Sequence, residues 1–282
     1  MRQRLIQLLA ITALLFCLPV ITGFSPAPKK PVHHNPMILA STEVSTSTNE
    51  GIWGKTWIEV YKSETEILDQ HNKEESSNQH YSKLVCGDYS KHNIAITIDD
   101  GPHPDFTPKL LAILNKYNIK VTFFVVGAMA EKYPQLVTLE AYYGHVIGNH
   151  SFNHVDLTQI PVEKQVMEWR ACNKIIKEIT GKEPRFCRPP GGDYNRSVMD
   201  AAMNEGLIPV LWTDNSGDYQ DTDLERVQNK IMVRAYNGGI ILMHDGVQQT
   251  IDLLPALIEK LQAQGYKFVT VEEMAKERGL IK

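Results

Sequence analysis

Several stretches of this chain bring together groups that do acid, base or metal chemistry. GNHSFNHVDL, residues 148–157, spaces His150 and His154 four apart. On a helical turn that spacing puts both imidazoles on one face, within reach of one ion. The stretch lacks the Glu of an HExxH motif, so a general base must come from elsewhere. AITIDDGPHP, residues 95–104, offers Asp99 and Asp100 side by side. Neighbours on a strand point to opposite faces. These two, however, stand where the strand gives way to the Gly101–Pro102 turn, and there both can lean over one site. Two His and one carboxylate leave open positions on a zinc-like ion, which marks a catalytic site rather than a structural one. Such an ion polarises a carbonyl and acidifies its water. Amide hydrolysis by metal-bound water also needs a base, an acid for the leaving nitrogen and a donor for the oxyanion. His244, in LMHDG, is a candidate acid. Arg188, in CRPPGG, is a candidate to orient a carboxylate, and the Gly191–Gly192 backbone to aim an N–H at an oxyanion. Taken singly, each has a plainer reading as a solvated histidine, a surface cation or a turn. Their conjunction favours a metal-assisted hydrolase.

Positioning these groups requires a scaffold. From about Asn93, short apolar runs alternate with amphipathic segments. IAITI precedes FTPKLLAILNKYN, where Leu110, Leu111, Ile113 and Leu114 recur at helical spacing. VTFFVVG, HVIGN, RFCRP, LIPVLWT, GGIILMH and YKFVTV follow, each ahead of a helical pattern. This makes about seven β-α units and predicts an α/β fold with a parallel sheet covered by helices, either closed into a barrel or open. Asp99, Asp100, His150, Arg188, Asp214, Asn215 and His244 all fall just past predicted strand ends, where sites assemble in such folds.

The rest of the chain sets its context. Arg2 and Arg4 precede an apolar run from Leu5 to Phe24, so residues 1–24 read as a signal peptide or an N-terminal membrane anchor. Either predicts an extracytoplasmic protein, secreted or membrane-attached. Residues 25–84 read as a flexible linker and lead-in, rich at first in Pro, Ser, Thr and Asn. Residues 85–282 form the predicted catalytic domain. A net charge of −4 over 282 residues gives no basic footprint for nucleic acid. Cys17, Cys86, Cys172 and Cys187 fit no zinc spacing and read as buried apolar residues.

Over roughly residues 93–275 the chain resembles the polysaccharide deacetylase family, the carbohydrate esterases with a NodB homology domain. Five motifs carry the resemblance in order: TIDDGP, HSFNH, RPPGG, WTDNSGDY and ILMHD. The resemblance implies a distorted (β/α) barrel with about seven parallel strands. It casts Asp99 as base, Asp100, His150 and His154 as metal ligands, Arg188 as holding the base, and His244 as acid. Gly191 would give the oxyanion donor through its backbone, while Tyr219 and Leu242 would line the acetyl pocket. One divalent ion is implied. Zinc suits the ligand set best, and cobalt, nickel and manganese also fit. The substrate implied is an acetylated polysaccharide, an N-acetylhexosamine polymer such as peptidoglycan, a chitin-like oligomer or an exopolysaccharide.

The chain departs from the family pattern in three places. Gly191 replaces a Tyr, with Tyr194 as a partial substitute for its ring. Tyr219 replaces a Trp. Asn215 takes the place of the acid that partners the catalytic His, which predicts a less basic His244 and a rate optimum at lower pH. An uncharged partner also leaves room for an O-acetyl esterase, whose alkoxide leaving group needs the acid less. A sugar-binding module without turnover is the third reading.

Overall fold

A computed structural model of the chain describes residues 61–77, 81–220 and 223–282. The predicted signal or anchor and the first part of the linker lie outside them. Among the described residues no helix is long and apolar enough to cross a membrane.

The organising element is β1, Asn93–Asp99, buried at every position. It lies between β2, Thr122–Val125, and β7, Gly239–His244, parallel to both. β3, Val146–Asn149, β4, Phe186–Cys187, and β5, Ile208–Pro209, continue the sheet beyond β2. β6, Asp214–Asn215, continues it beyond β7. These seven parallel strands run in the order β5-β4-β3-β2-β1-β7-β6, and a short eighth strand, β8, Lys267–Phe268, pairs with the base of β1. The α/β architecture is that of the distorted (β/α) barrel expected from the motifs.

Pleating sorts the side chains into two layers. Ile94, Ile96 and Ile98 of β1 pack with Phe123, Val125, Ile241 and Met243. Leu110, Leu111 and Leu114 of the helix Thr107–Lys116 and Leu253, Leu254 and Leu257 of the helix Gln248–Ala263 cover this face. Ala95 faces the other way, with Phe124, Leu242 and Trp212. Asp99 and His244 continue this inner face, and the β1–β7 register sets them directly opposite each other. The helical pattern after VTFFVVG is two helices, Gly127–Lys132 and Pro134–Tyr142, because Pro134 has no N–H to continue the first and starts the second. Cys172 and Cys187 are buried and Cys86 half-buried, all as free thiols.

The lead-in differs from expectation. Residues 64–76 form a helix, and Ser63 and Glu66 build a reciprocal cap at its start: the Ser63 N–H donates to Glu66 Oε2 at 2.8 Å, and the Glu66 N–H reaches Ser63 Oγ at 3.4 Å. Ile67 of this helix and Leu84 beyond it belong to the inner core with Phe124 and Trp212. Leu84 also bridges Val210 next to β5. This part of the chain is therefore packed structure. Ile67→Ala is expected to lower the unfolding free energy in urea by about 2–5 kcal/mol. A helix lying loosely on the surface would give almost no change.

Candidate active site

The inner face ends in a buried ion pair. Arg188, one residue past β4, is fully buried. Its Nη1 donates to Asp99 Oδ1 at 2.7 Å and to Thr97 Oγ1 at 2.8 Å. Its Nε and Nη2 donate to the carbonyls of Val210 and Leu211, each at 3.1 Å. The guanidinium also lies over the Phe124 ring, 4.4 Å from its centroid. Burial lowers the Arg188 pKa and the Asp99 carboxylate opposes that shift. Asp99 is thereby held by one oxygen, while its Oδ2 has no hydrogen-bond partner.

Asp100 would point to the helix layer if the pleat continued. Instead its φ of 74° turns the backbone into the left-handed region and brings its carboxylate to the same mouth. Asp100 Oδ1 lies 3.4 Å from His150 Nε2 and 3.1 Å from His154 Nε2. The two histidines do not share a helical turn, as their spacing had suggested. HSFNH is a tight loop with left-handed backbone at Ser151, φ 64°, and at His154, φ 54°. Buried Glu168 holds that loop, accepting the N–H groups of Phe152 and Asn153 at 2.9 and 2.8 Å. Asn149 Oδ1 accepts the Ser151 N–H at 2.8 Å.

The donor set fits a divalent ion. His150 Nδ1 lies 2.8 Å from the Arg188 carbonyl, which can only accept, so Nδ1 carries the proton and Nε2 keeps its lone pair. That Nε2 is buried without a hydrogen-bond partner, 3.4 Å from a carboxylate oxygen. Asp100, His150 and His154 are a group whose ligand atoms all lie within 4.8 Å of one another. Burial raises the Asp100 pKa, but His154, His150 and His244 outweigh it and hold the carboxyl well below its usual range.

The partner of His244 is Asp218, not Asn215. His244 Nδ1 donates to Asp218 Oδ1 at 2.7 Å, and the His244 N–H donates to Asp218 Oδ2 at 2.8 Å. Thr250 also donates to Asp218 Oδ2. The turn after β6, with Gly217 at φ 73°, swings Asp218 back over β7. Asn215 Oδ1 accepts the Gly217 N–H at 3.0 Å, and its Nδ2 donates to the Lys62 carbonyl at 3.2 Å. Burial lowers the His244 pKa, but the charge and hydrogen bond of Asp218 and the charges of Asp100 and Asp99 push it up to about 9. The premise of a less basic His244 with an optimum at lower pH, an uncharged partner at Asn215, does not hold. At neutral pH the ring is an imidazolium whose buried Nε2 has no hydrogen-bond partner.

The remaining expected residues gather nearby, with one exception. Tyr219 packs edge-on to His244, with centroids 4.8 Å apart. Leu242 is buried in the inner core. Gly191, at φ 64° in the turn Pro190–Gly192, lies beside the lead-in, its carbonyl accepting the Lys62 N–H at 3.0 Å. Tyr194 does not replace the missing ring. It packs against Tyr81 instead, and its backbone carbonyl accepts from Gln70. The sequence reading missed Tyr61, which is buried at the centre of the site. Its hydroxyl donates to Asp100 Oδ1 at 2.6 Å and lies 3.3 Å from His154 Nε2. Its ring meets that of His244 edge-on at 4.4 Å. The signal available was the SETE sequence at 63–66, a capping box that fixes where the chain after Tyr61 must turn.

A carboxylate held by a buried arginine, a candidate ion site and a charged histidine around one barrel mouth define a metal-dependent hydrolase. Comparison with known proteins agrees. The family description Polysaccharide deacetylase matches residues 87–210. A peptidoglycan-N-acetylglucosamine deacetylase of Bacillus cereus is 37% identical over 186 residues, 64% of this chain and 87% of that protein. The peptidoglycan-N-acetylmuramic acid deacetylase PdaC of Bacillus subtilis is 32% identical over 84% of this chain, which spans 50% of PdaC. The crystal structure of the peptidoglycan N-acetylglucosamine deacetylase Bc1960 superposes with a TM-score of 0.67 at 32% identity, covering 69% of this chain and 92% of that one. The chain belongs to the polysaccharide deacetylase family, a metal-dependent group of hydrolases.

The His244–Asp218 pair has a consequence for pH. A group with a pKa near 9 is protonated below that pH and loses its proton as pH rises through it, so His244 would set the alkaline limb of the rate profile if it serves as the acid. Asp218→Asn removes the opposing charge and is expected to move that limb down by about 1–3 pH units. Asn215→Asp is expected to move it much less. A pH–rate profile of each variant checks both.

Proposed function

We propose that this chain removes N-acetyl groups from the N-acetylglucosamine residues of peptidoglycan. The observation that carries this reading is the pairing pattern at the barrel mouth. Arg188 and Asp218 fix Asp99 Oδ1 and His244 Nδ1, whereas Asp99 Oδ2, His150 Nε2 and His244 Nε2 are buried without hydrogen-bond partners. Unpaired buried polar atoms are costly unless chemistry uses them. The identity and coverage of the Bacillus cereus relative support the choice of sugar.

In this reading Asp100, His150 and His154 hold a divalent ion, zinc being the best match to two imidazoles and a carboxylate. The ion would supply Lewis acidity, polarising the acetyl carbonyl and making a water easier to deprotonate. Asp99 Oδ2 accepts the proton of that water, with Arg188 holding the carboxylate in place. His244 gives its Nε2 proton to the leaving amine, and Asp218 stabilises the imidazolium beforehand. The Gly191 backbone faces the oxyanion, and Tyr219 and Leu242 wall the acetyl methyl.

The His244–Asp218 pair also bears on the alternatives. The O-acetyl esterase reading drew its support from an uncharged partner for the acid, and the partner is a carboxylate. A binding module without turnover has no use for a base and an acid fixed beside an ion site. Residues 1–24 fit an export segment that would carry the chain to its substrate, secreted or anchored in the membrane. The packing of Ile67 and Leu84 in the inner core supports a start of the catalytic domain before residue 85.

The test is acetate release from peptidoglycan and from N-acetylglucosamine oligomers. Chelator is expected to abolish release and zinc to restore it. Asp100→Ala should lose the ion, whereas Asp99→Asn should keep it and lose turnover by at least about a hundredfold. Release from acetylated xylan alone would favour the esterase. No release from any acetylated glycan, with the ion bound, would favour the binding module.

A further inference from the structure

Tyr61 sits closer to the candidate ion site than a wall residue needs to. Its hydroxyl is 2.6 Å from Asp100 Oδ1 and 3.3 Å from His154 Nε2. The proposed ligands keep similar distances among themselves: 3.1 Å from Asp100 Oδ1 to His154 Nε2 and 3.4 Å to His150 Nε2. Around a tetrahedral ion with bonds of about 2.0–2.1 Å, neighbouring ligand atoms stand about 3.3 Å apart. The Tyr61 oxygen thus keeps ligand spacing from one member of the set and hydrogen-bond spacing from another.

The segment behind Tyr61 is tied down at several points. The Lys62 N–H donates to the Gly191 carbonyl at 3.0 Å, and the Lys62 carbonyl accepts from Asn215 Nδ2. Lys62 Nζ pairs with Asp193 at 2.6 Å. Glu64 Oε1 accepts the Asn215 N–H at 2.8 Å and pairs with Arg234 at 2.6 Å. These ties run along the turn Pro190–Gly192 and the end of β6, which carry residues expected to meet the substrate. Most of them lie near the surface, where ion pairs are weak. The Tyr61 ring fills the space between His244, Tyr219 and Trp212, at centroid distances of 4.4, 5.6 and 6.2 Å. A catalytic ion needs an open position. Here the chain itself supplies an oxygen that lies against two of the three candidate ligands.

We propose that Tyr61 is a fourth, displaceable ligand of the ion, so that the segment 61–64 closes the site until substrate takes its place. This rests on the metal-hydrolase reading above. As the phenol oxygen binds the ion, its O–H bond breaks and the proton passes to solvent. When an acetyl carbonyl oxygen displaces it, Tyr61 takes a proton back and its ring leaves the acetyl pocket.

Copper(II) is a suitable probe, because a coordinated phenolate gives a charge-transfer absorption that imidazole and carboxylate do not. The full chain is loaded with one equivalent and compared with Tyr61→Phe, which keeps the ring and loses only the oxygen. The expected result is a phenolate charge-transfer band in the wild type and none in the variant, beyond the weak d–d absorption both share, with the ion bound to both and held roughly tenfold more weakly by the variant. The band should bleach on addition of N-acetylglucosamine tetramer. With zinc, Tyr61→Phe should turn over that oligomer with a several-fold higher kcat/KM. Identical spectra at equal copper loading, with wild-type acetate release intact, would overturn the ligand assignment and leave the deacetylase reading standing. A lower affinity in Tyr61→Phe without any wild-type band would also overturn it, reducing Tyr61 to a positioning hydrogen bond on Asp100. A band that persists in saturating oligomer during turnover would overturn displacement. Failure of the wild type to bind any ion or release acetate would remove the metal-hydrolase reading and this inference together.

Discussion

The structure depends on burying a guanidinium at the mouth of the barrel. Taking an arginine out of water is tolerable only if its charge is paired and its donors are satisfied. Arg188 meets both conditions at once, through Asp99, Thr97 and the carbonyls of Val210 and Leu211. Those partners sit on β1 and on the chain after β5, so one side chain ties strands that do not pair with each other. Removing one member of such a pair leaves an uncompensated charge, a loss of about 3–5 kcal/mol. The same bond selects which oxygen of Asp99 is spoken for, so the contact that offsets a buried charge also leaves Oδ2 free at the mouth.

From that pair the site extends through backbone rather than through long side chains. The Arg188 carbonyl fixes the proton on His150. The Asp99 carbonyl accepts the Asp245 N–H, which locks the end of β7 beside β1. Asp218 grips His244 through both its ring and its main chain. Each reactive group thus has one atom anchored by the scaffold and one atom facing the mouth. Such preorganisation costs nothing at the moment of reaction.

Much of this was legible in the sequence, and the failures have physical causes. The alternation of IAITI, VTFFVVG and GGIILMH with amphipathic runs gave the strands, because buried parallel strands read as continuous apolar stretches. Asp99, Asp100, His150, Arg188 and His244 were legible because each follows such a run. Asn215 was misread because β6 is only two residues long, and a turn through Gly217 decides which neighbour meets the histidine. His150 and His154 were placed on a helical turn because spacing alone cannot distinguish a helix from a loop with two left-handed residues. Tyr61 was missed because the capping box at 63–66 announces only a helix start, not that the residue before it will fold back across more than ninety residues to His154.

β1 bears one more consequence, which concerns time rather than space. Its partners are β2, β7 and β8, so Asn93–Asp99 is completed only by residues 239–244 and 267–268. Chains are made from the N-terminus, and distant pairings form late. A nascent or truncated chain that stops before residue 239 therefore has its acidic pair without the strand that sets His244 beside it. Such a product lacks part of the candidate site however well its first half folds, and the order of synthesis itself delays assembly of that site until the chain is nearly complete.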